Sequence, residues 1–202
     1  MTPRSLVIAA AVGCALVRAA TLSAQTAEVQ TAPAQKAGWE FLVSSGTVVP
    51  TGAERGIIKR GGLTAAQLSY VVTPALALTA TLGWARSHDI ASAGDPKLDL
   101  FAYDIGAEFC AHRWTAGDAF SFSSFAGVGA GARSYNYRSL DVAATHNVSA
   151  YASAGGEFGV SRIRLRLEAR DYVSGFKPLN GNGAAVTGND VALLVGLRFV
   201  TR

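Results

Sequence analysis

The residues whose types and spacing could do chemistry are concentrated in one short stretch, RIRLRLEARDY, from Arg162 to Tyr172. Arg162, Arg164, Arg166, Glu168 and Arg170 take every second position, and Ile163, Leu165, Leu167 and Ala169 fill the places between. On an extended backbone successive side chains point to opposite faces, so one face of this segment is ionic and the other aliphatic. The ionic face could bind anions, line a path for ions, or neutralise itself against acids brought from elsewhere in the chain. Which face meets water decides among these.

Other candidate chemistry is sparse. Ser87-His88-Asp89 places the residue types of a hydrolytic triad in a row, and His112, His146 and Ser149 add further members. A triad is defined by convergence in space, which three consecutive residues do not supply, and each histidine reads as an ordinary loop or strand-end residue. His112 also falls at the opposite end of the pattern from His88 and His146. One cysteine outside the leader and three scattered histidines form no ligand-spaced cluster, so neither a metal nor a cofactor is expected. Cys110 reads as a small packing residue, and GVGAGAR (127–133) as a strand with glycines on one face. No catalytic residue is assigned and no enzymatic activity is expected.

The elements that must position the arginines follow from composition and periodicity. Half of the 202 residues are hydrophobic and 16% are charged, with 22 glycines and 6 prolines, which is too apolar for a disordered chain. Residues 1–24 read as a secretory signal: Arg4, then LVIAAAVGCALV (6–17), then small residues before a cut near Ala24. AVGC, ending at Cys14, also resembles a lipoprotein acylation site, which leaves processing at Cys14 as the alternative. Residues 25–38 are polar and aperiodic, a flexible tail. Without Arg4 and Arg18 the 18 basic residues fall to 16 against 14 acidic ones, a balance that points away from nucleic acid. If Cys14 leaves with the signal, Cys110 has no disulfide partner in the chain. No stretch after the leader reaches the roughly 18 to 20 consecutive apolar residues of a transmembrane helix.

From residue 39 onward the chain alternates with a period of two, in eight segments at about 39–49, 62–73, 76–86, 98–111, 120–138, 146–160, 163–173 and 189–200. None of the prolines is expected inside a strand. Connections after the odd segments are mostly longer than those after the even ones, TPA (73–75), HRWTAGDA (112–119) and the stretch around Ser161. A soluble antiparallel barrel or sandwich would explain the alternation, with the arginines in water. Three features favour a membrane barrel instead. Glycines 83, 106, 127, 129, 131, 155 and 159 fall on the polar faces, where an exposed strand would favour larger residues but a narrow lumen needs space. Aromatics fall at the ends of the apolar faces: Trp39, Phe109, Phe120, Phe122, Phe158 and Phe199 at the short-turn end with Trp114 in a turn, and Trp84, Phe101 and Tyr103 at the long-loop end. Finally, five acids (Glu40, Asp104, Glu108, Glu157, Glu168) share the polar faces with five bases (Arg133, Arg164, Arg166, Arg170, Arg198), so a lumen can pair internally.

The signal, the eight alternating segments, SGTVVPTG (45–52), LRLEARDY (165–172) and the final VALLVGLRFV (191–200) together resemble the small outer-membrane β-barrels of the OmpA/OmpX-like group. The resemblance covers residues 39–202 and implies an all-β fold, an eight-stranded antiparallel up-and-down transmembrane barrel in a Gram-negative outer membrane. It implies both termini on the periplasmic side, outer-membrane lipids around the barrel, recognition of the C-terminal strand by the assembly machinery, and a monomer. Such barrels commonly end on an aromatic residue, whereas here Phe199 is followed by Val200, Thr201 and Arg202. The expected role is non-enzymatic, with a charged, largely closed lumen and surface loops. A narrow pore or conduit is the alternative, and a lipid-modifying enzyme the third reading.

Overall fold

The computed structural model describes residues 38–201 apart from 117–119, 139, 161 and 180–185; the expected leader, and the expected tail up to residue 37, lie outside the described residues. Eight strands form in chain order: β1 (Gly38–Thr51), β2 (Gly61–Thr73), β3 (Leu76–His88), β4 (Lys97–Ala116), β5 (Phe120–Tyr137), β6 (Thr145–Val160), β7 (Ile163–Phe176) and β8 (Val186–Val200). Each pairs antiparallel with its neighbours in sequence, and β8 pairs with β1 from Glu40↔Val200 to Thr51↔Asn189, closing the barrel. Closure leaves no sheet edge, so the backbone groups of every strand have partners on both sides along the paired length. The long connections all lie at one end, and the short ones lie at the other with the start of β1 and the end of β8.

Several strands run two or more residues further than the periodicity predicts, and β4 and β1 show why. β4 continues through His112–Ala116, where a turn is expected, so that Trp114 pairs with Phe122 within the sheet. A register shift between Cys110 and Arg113 accounts for the difference, because an irregularity of this kind resets the alternation and hides the strand beyond it. β1 includes Pro50, contrary to the expectation that prolines lie outside the strands. Its pairing with β2 stops at Val48, so by position 50 one side of the strand is already unpaired and a missing N–H costs little.

The alternation sorts the side chains cleanly. Leu68, Leu82, Ile105, Val128, Leu165, Leu167, Leu193 and Val195 face outward and are exposed. Trp39, Phe109, Phe120, Phe158 and Phe199 are exposed and Phe122 half-buried towards the short-turn end, while Trp84 and Tyr103 are exposed and Phe101 half-buried towards the long-loop end. Trp39 packs on Tyr70 with ring centroids 5.0 Å apart, and Phe122 on Phe158 at 4.9 Å.

Inside, glycines make room for rings. A side chain at Gly106 or Gly129 would overlap Tyr151, and one at Gly155 would overlap Phe125. Gly129→Val is therefore expected to destabilise the barrel by about 1–3 kcal/mol through overpacking. The denaturant midpoint of the folded barrel checks this, with Ala126→Val, on the exposed outward face of the same strand, expected to stay near wild type.

Candidate functional site: the filled lumen

β7 supplies a column of inward side chains, because its alternation places Arg164, Arg166, Glu168, Arg170 and Tyr172 on one face and all five are buried. Neighbouring and opposite strands supply the counter-charges. Towards the short-turn end Arg166 reaches three carboxylates at once: Nη1 to Glu157 at 2.7 Å, Nη2 to Glu108 at 2.7 Å and Nε to Glu168 at 3.0 Å. Its guanidinium also lies 3.4 Å from the ring centre of Phe125, a cation–π contact. Arg198 binds the same group from β8, to Glu40 at 3.0 Å, Glu108 at 3.1 Å and Glu157 at 3.0 Å. Arg164 completes it, 3.8 Å from Glu40 and 3.7 Å from Glu157.

Above this layer, Arg170 donates to Glu168 at 2.8 Å, to the Tyr172 hydroxyl at 3.1 Å and to Gln67 at 3.2 Å. Tyr172 in turn donates to Asp104 at 2.7 Å. One step further towards the long loops, Arg133 pairs with Asp190 and stacks over Tyr172 at 4.3 Å. The structure thus brings nine of the ten expected residues into one connected ionic system and places the tenth, Arg133, against Asp190, which lies outside the expected set of five acids. Register decides this: Arg133 sits nearer the loops than any of those five.

The upper lumen differs from the expected charged interior. Val48, Leu63, Leu98, Leu100 and Phe176 form a buried apolar cluster there, with Tyr135 packed on Phe176 at 4.9 Å. The connection after β1 folds into the mouth. Ile58 is buried in the cluster and Ile57 packs against it, while Glu54, from a 3-10 turn at Gly52–Gly56, is wholly buried. Six carboxylates on the strands face five guanidiniums, and Glu54 adds a further buried acid at the mouth. Burial, followed by the adjoining Asp190 carboxylate, pushes the Glu54 acid up to about 8. Glu54 was missed from sequence because it lies in a loop; the apolar pair Ile57-Ile58 inside a polar connection was the available signal.

The hydrolase candidates do not converge. Ser87 points inward and donates to the Lys59 carbonyl, His88 faces outward, and Asp89 is buried, accepting from the Ala91 and Ser92 amides and from Tyr137 at 3.0 Å. Ser149 is buried inside, whereas His146 lies on the outer face 2.6 Å from the Ser134 hydroxyl. The side chain of His112 lies outside the described residues. Cys110, half-buried, sits 4.0 Å from Glu108.

A closed antiparallel barrel of eight strands, aliphatic outside and ion-paired inside, has the fold of the small outer-membrane β-barrels. Three solved structures show the likeness. Neisserial surface protein A is 12% identical, with 83% of this chain and 100% of that chain covered and a TM-score of 0.54. OprG from Pseudomonas aeruginosa is 12% identical over 83% and 98%, with a TM-score of 0.51. The outer membrane protein AlkL, solved in DMPC bilayers, is 13% identical over 89% and 97%, with a TM-score of 0.50. No family model and no curated protein sequence matches the chain.

Two outcomes follow from this geometry. Arg166→Ala leaves Glu108, Glu157 and Glu168 short of a buried counter-charge and is expected to cost about 3–5 kcal/mol, read from denaturant unfolding. Glu54 is held protonated in the fold and ionises near the ordinary carboxylate range when unfolded, so its contribution is fully present below about pH 4.5 and is lost as pH rises to about 8. The wild-type unfolding midpoint is expected to fall between pH 5 and pH 9 by more than that of Glu54→Gln.

Proposed function

We propose that the protein is an integral outer-membrane β-barrel with a closed lumen and a non-catalytic, structural or surface-interaction role. The observation that carries this reading is the filling of the interior along its length. Arg133, Arg166 and Arg198 are each 1% exposed inside the barrel, and Leu98 and Phe176 above them are 0% exposed. Eight strands enclose a space only just wide enough for side chains, so such a filling leaves no wide aqueous path. The outward Leu, Val and Ile between two zones of aromatics match a lipid environment, where apolar side chains face acyl chains and rings face the headgroup level. The long connections then lie outside the cell. β8, with Val191, Leu193, Val195, Leu197 and Phe199 on its outward face, is the segment for the assembly machinery to recognise, and the barrel acts as a monomer surrounded by outer-membrane lipids.

In a planar bilayer the purified, folded protein is expected to give no steady conductance at neutral pH. Steady unitary openings from the wild-type chain would overturn the closed-lumen reading in favour of a conduit.

A further inference from the structure

One flank of the long-loop rim carries a row of exposed cations, with Asp95 and Asp141 in the connections beside them. On the flank formed by β2 to β5, Arg60 lies just ahead of β2, Arg86 and His88 face outward at the end of β3, Lys97 opens β4, and Arg138 follows β5. The backbone aligns them in two adjoining rows. His88 is in register with Lys97, whose carbonyl accepts from the Arg138 amide at 3.1 Å, and the Lys59 amide donates to His88 at 2.9 Å. Arg86 lies one row below, its guanidinium stacked 4.1 Å from the ring centre of Trp84. Asp99, in register with Arg86, is ion-paired to Arg138 at 3.0 Å. Among the described residues Arg60, Arg86 and Lys97, all exposed, have no carboxylate at ion-pair distance. On the opposite flank the outward positions of β7, β8 and β1 carry Asp171, with Lys177 one residue beyond β7 and Arg55 in the turn after β1.

Directly beneath the basic flank the outer surface is shaped as well as apolar. Trp84 and Phe101, in register, form an aromatic step. Below them runs a groove of about 500 Å³ walled by Leu68, Leu82, Tyr103 and Ile105, with small residues such as Ala66 and Ala80 between. Cations above, rings between and an acyl-sized furrow below is the layering of an anionic lipid. The unpaired basic positions Arg60, Arg86 and Lys97 span three strands, roughly 10 Å at about 4.8 Å per strand spacing, wider than a single phosphate.

We infer that this flank binds lipid A, a rigid sugar headgroup carrying two phosphates above several acyl chains, with Arg60, Arg86 and Lys97 holding the phosphates and the groove receiving a chain. Guanidinium groups suit phosphate because they offer paired donors in a fixed plane, and Trp84 holds that of Arg86 at the level of the headgroup. The inference rests on the outer-membrane reading above, since only that reading puts this rim in the outer leaflet.

The test uses the full chain expressed with its leader in a Gram-negative host, purified from outer membranes in detergent and stripped of lipid. Native mass spectrometry then compares binding of bisphosphorylated lipid A, the same lipid with both phosphates removed, and phosphatidylglycerol. The wild-type chain is expected to retain the bisphosphorylated lipid at least about tenfold better than either of the others. The Arg60→Ser, Arg86→Ser, Lys97→Ser triple variant is expected to lose that preference while keeping heat-modifiable gel mobility, and Asp171→Asn is expected to keep it. Equal binding of the three lipids by the wild type overturns the inference without any variant, as does an unchanged preference in the folded triple variant. Recovery of the wild-type chain from the soluble periplasm would instead overturn the membrane reading, whereas a heat-modifiable barrel indifferent to phosphate overturns only this site.

Discussion

Arg166 stands inside a closed barrel, 1% exposed, and the rest of the interior is arranged around that fact. Taking an ion out of water costs several kcal/mol unless counter-charges and hydrogen bonds replace the lost solvation. Arg166 meets that cost with Glu108, Glu157 and Glu168, and two of those acids also serve Arg198, which joins Glu40 to the group. Each acid is therefore shared by more than one base, and strands far apart in sequence are tied together through the lumen. Such sharing needs the guanidiniums near the axis of the barrel. Glycines on the inner face provide the volume for the rings that carry them, Phe125 under Arg166 and Tyr151 beside Arg170.

The same closure divides the molecule along its length. At the short-turn end and through the middle, electrostatic pairing fills the bore; at the loop end, apolar packing does, with Ile58 from the first connection set into the cluster. Glu54 sits at the boundary between these two kinds of filling, an acid beyond the balance of the network, and its neutral form is the one an enclosed site beside Asp190 favours. A bore filled in both ways shifts attention to the outer surface. There one flank carries cations that, among the described residues, have no carboxylate at ion-pair distance, above an apolar furrow.

Much of this is legible in the order of residues, for a simple reason. A strand turns each successive side chain by half a revolution, so in RIRLRLEARDY the inside and the outside of the barrel are written as odd and even positions. The inward ionic residues and the outward aromatics can be assigned this way without knowing any partner. The alternation fails where the backbone departs from it. The irregularity near Cys110 hides the last part of β4 and moves Trp114 from a turn into the sheet. Pro50 enters β1 because pairing with β2 has already ended, a fact about neighbours that its own sequence context does not hold.

By itself the sequence determined the number of strands, their antiparallel order, the face each side chain takes and the approximate balance of acids and bases, because all of these depend on local periodicity and chain connectivity. Only the tertiary structure decided which charges meet. That depends on the stagger of eight strands around a closed barrel, which sets Arg133 opposite Asp190 and gathers Glu40, Glu108 and Glu157, from β1, β4 and β6, around two arginines of β7 and β8. The apolar plug beneath the loops belongs to the same class of fact. Leu98, Leu100 and Phe176 become a core only when closure brings their strand ends together, and a loop contributes Ile58 only because the mouth it folds into already exists.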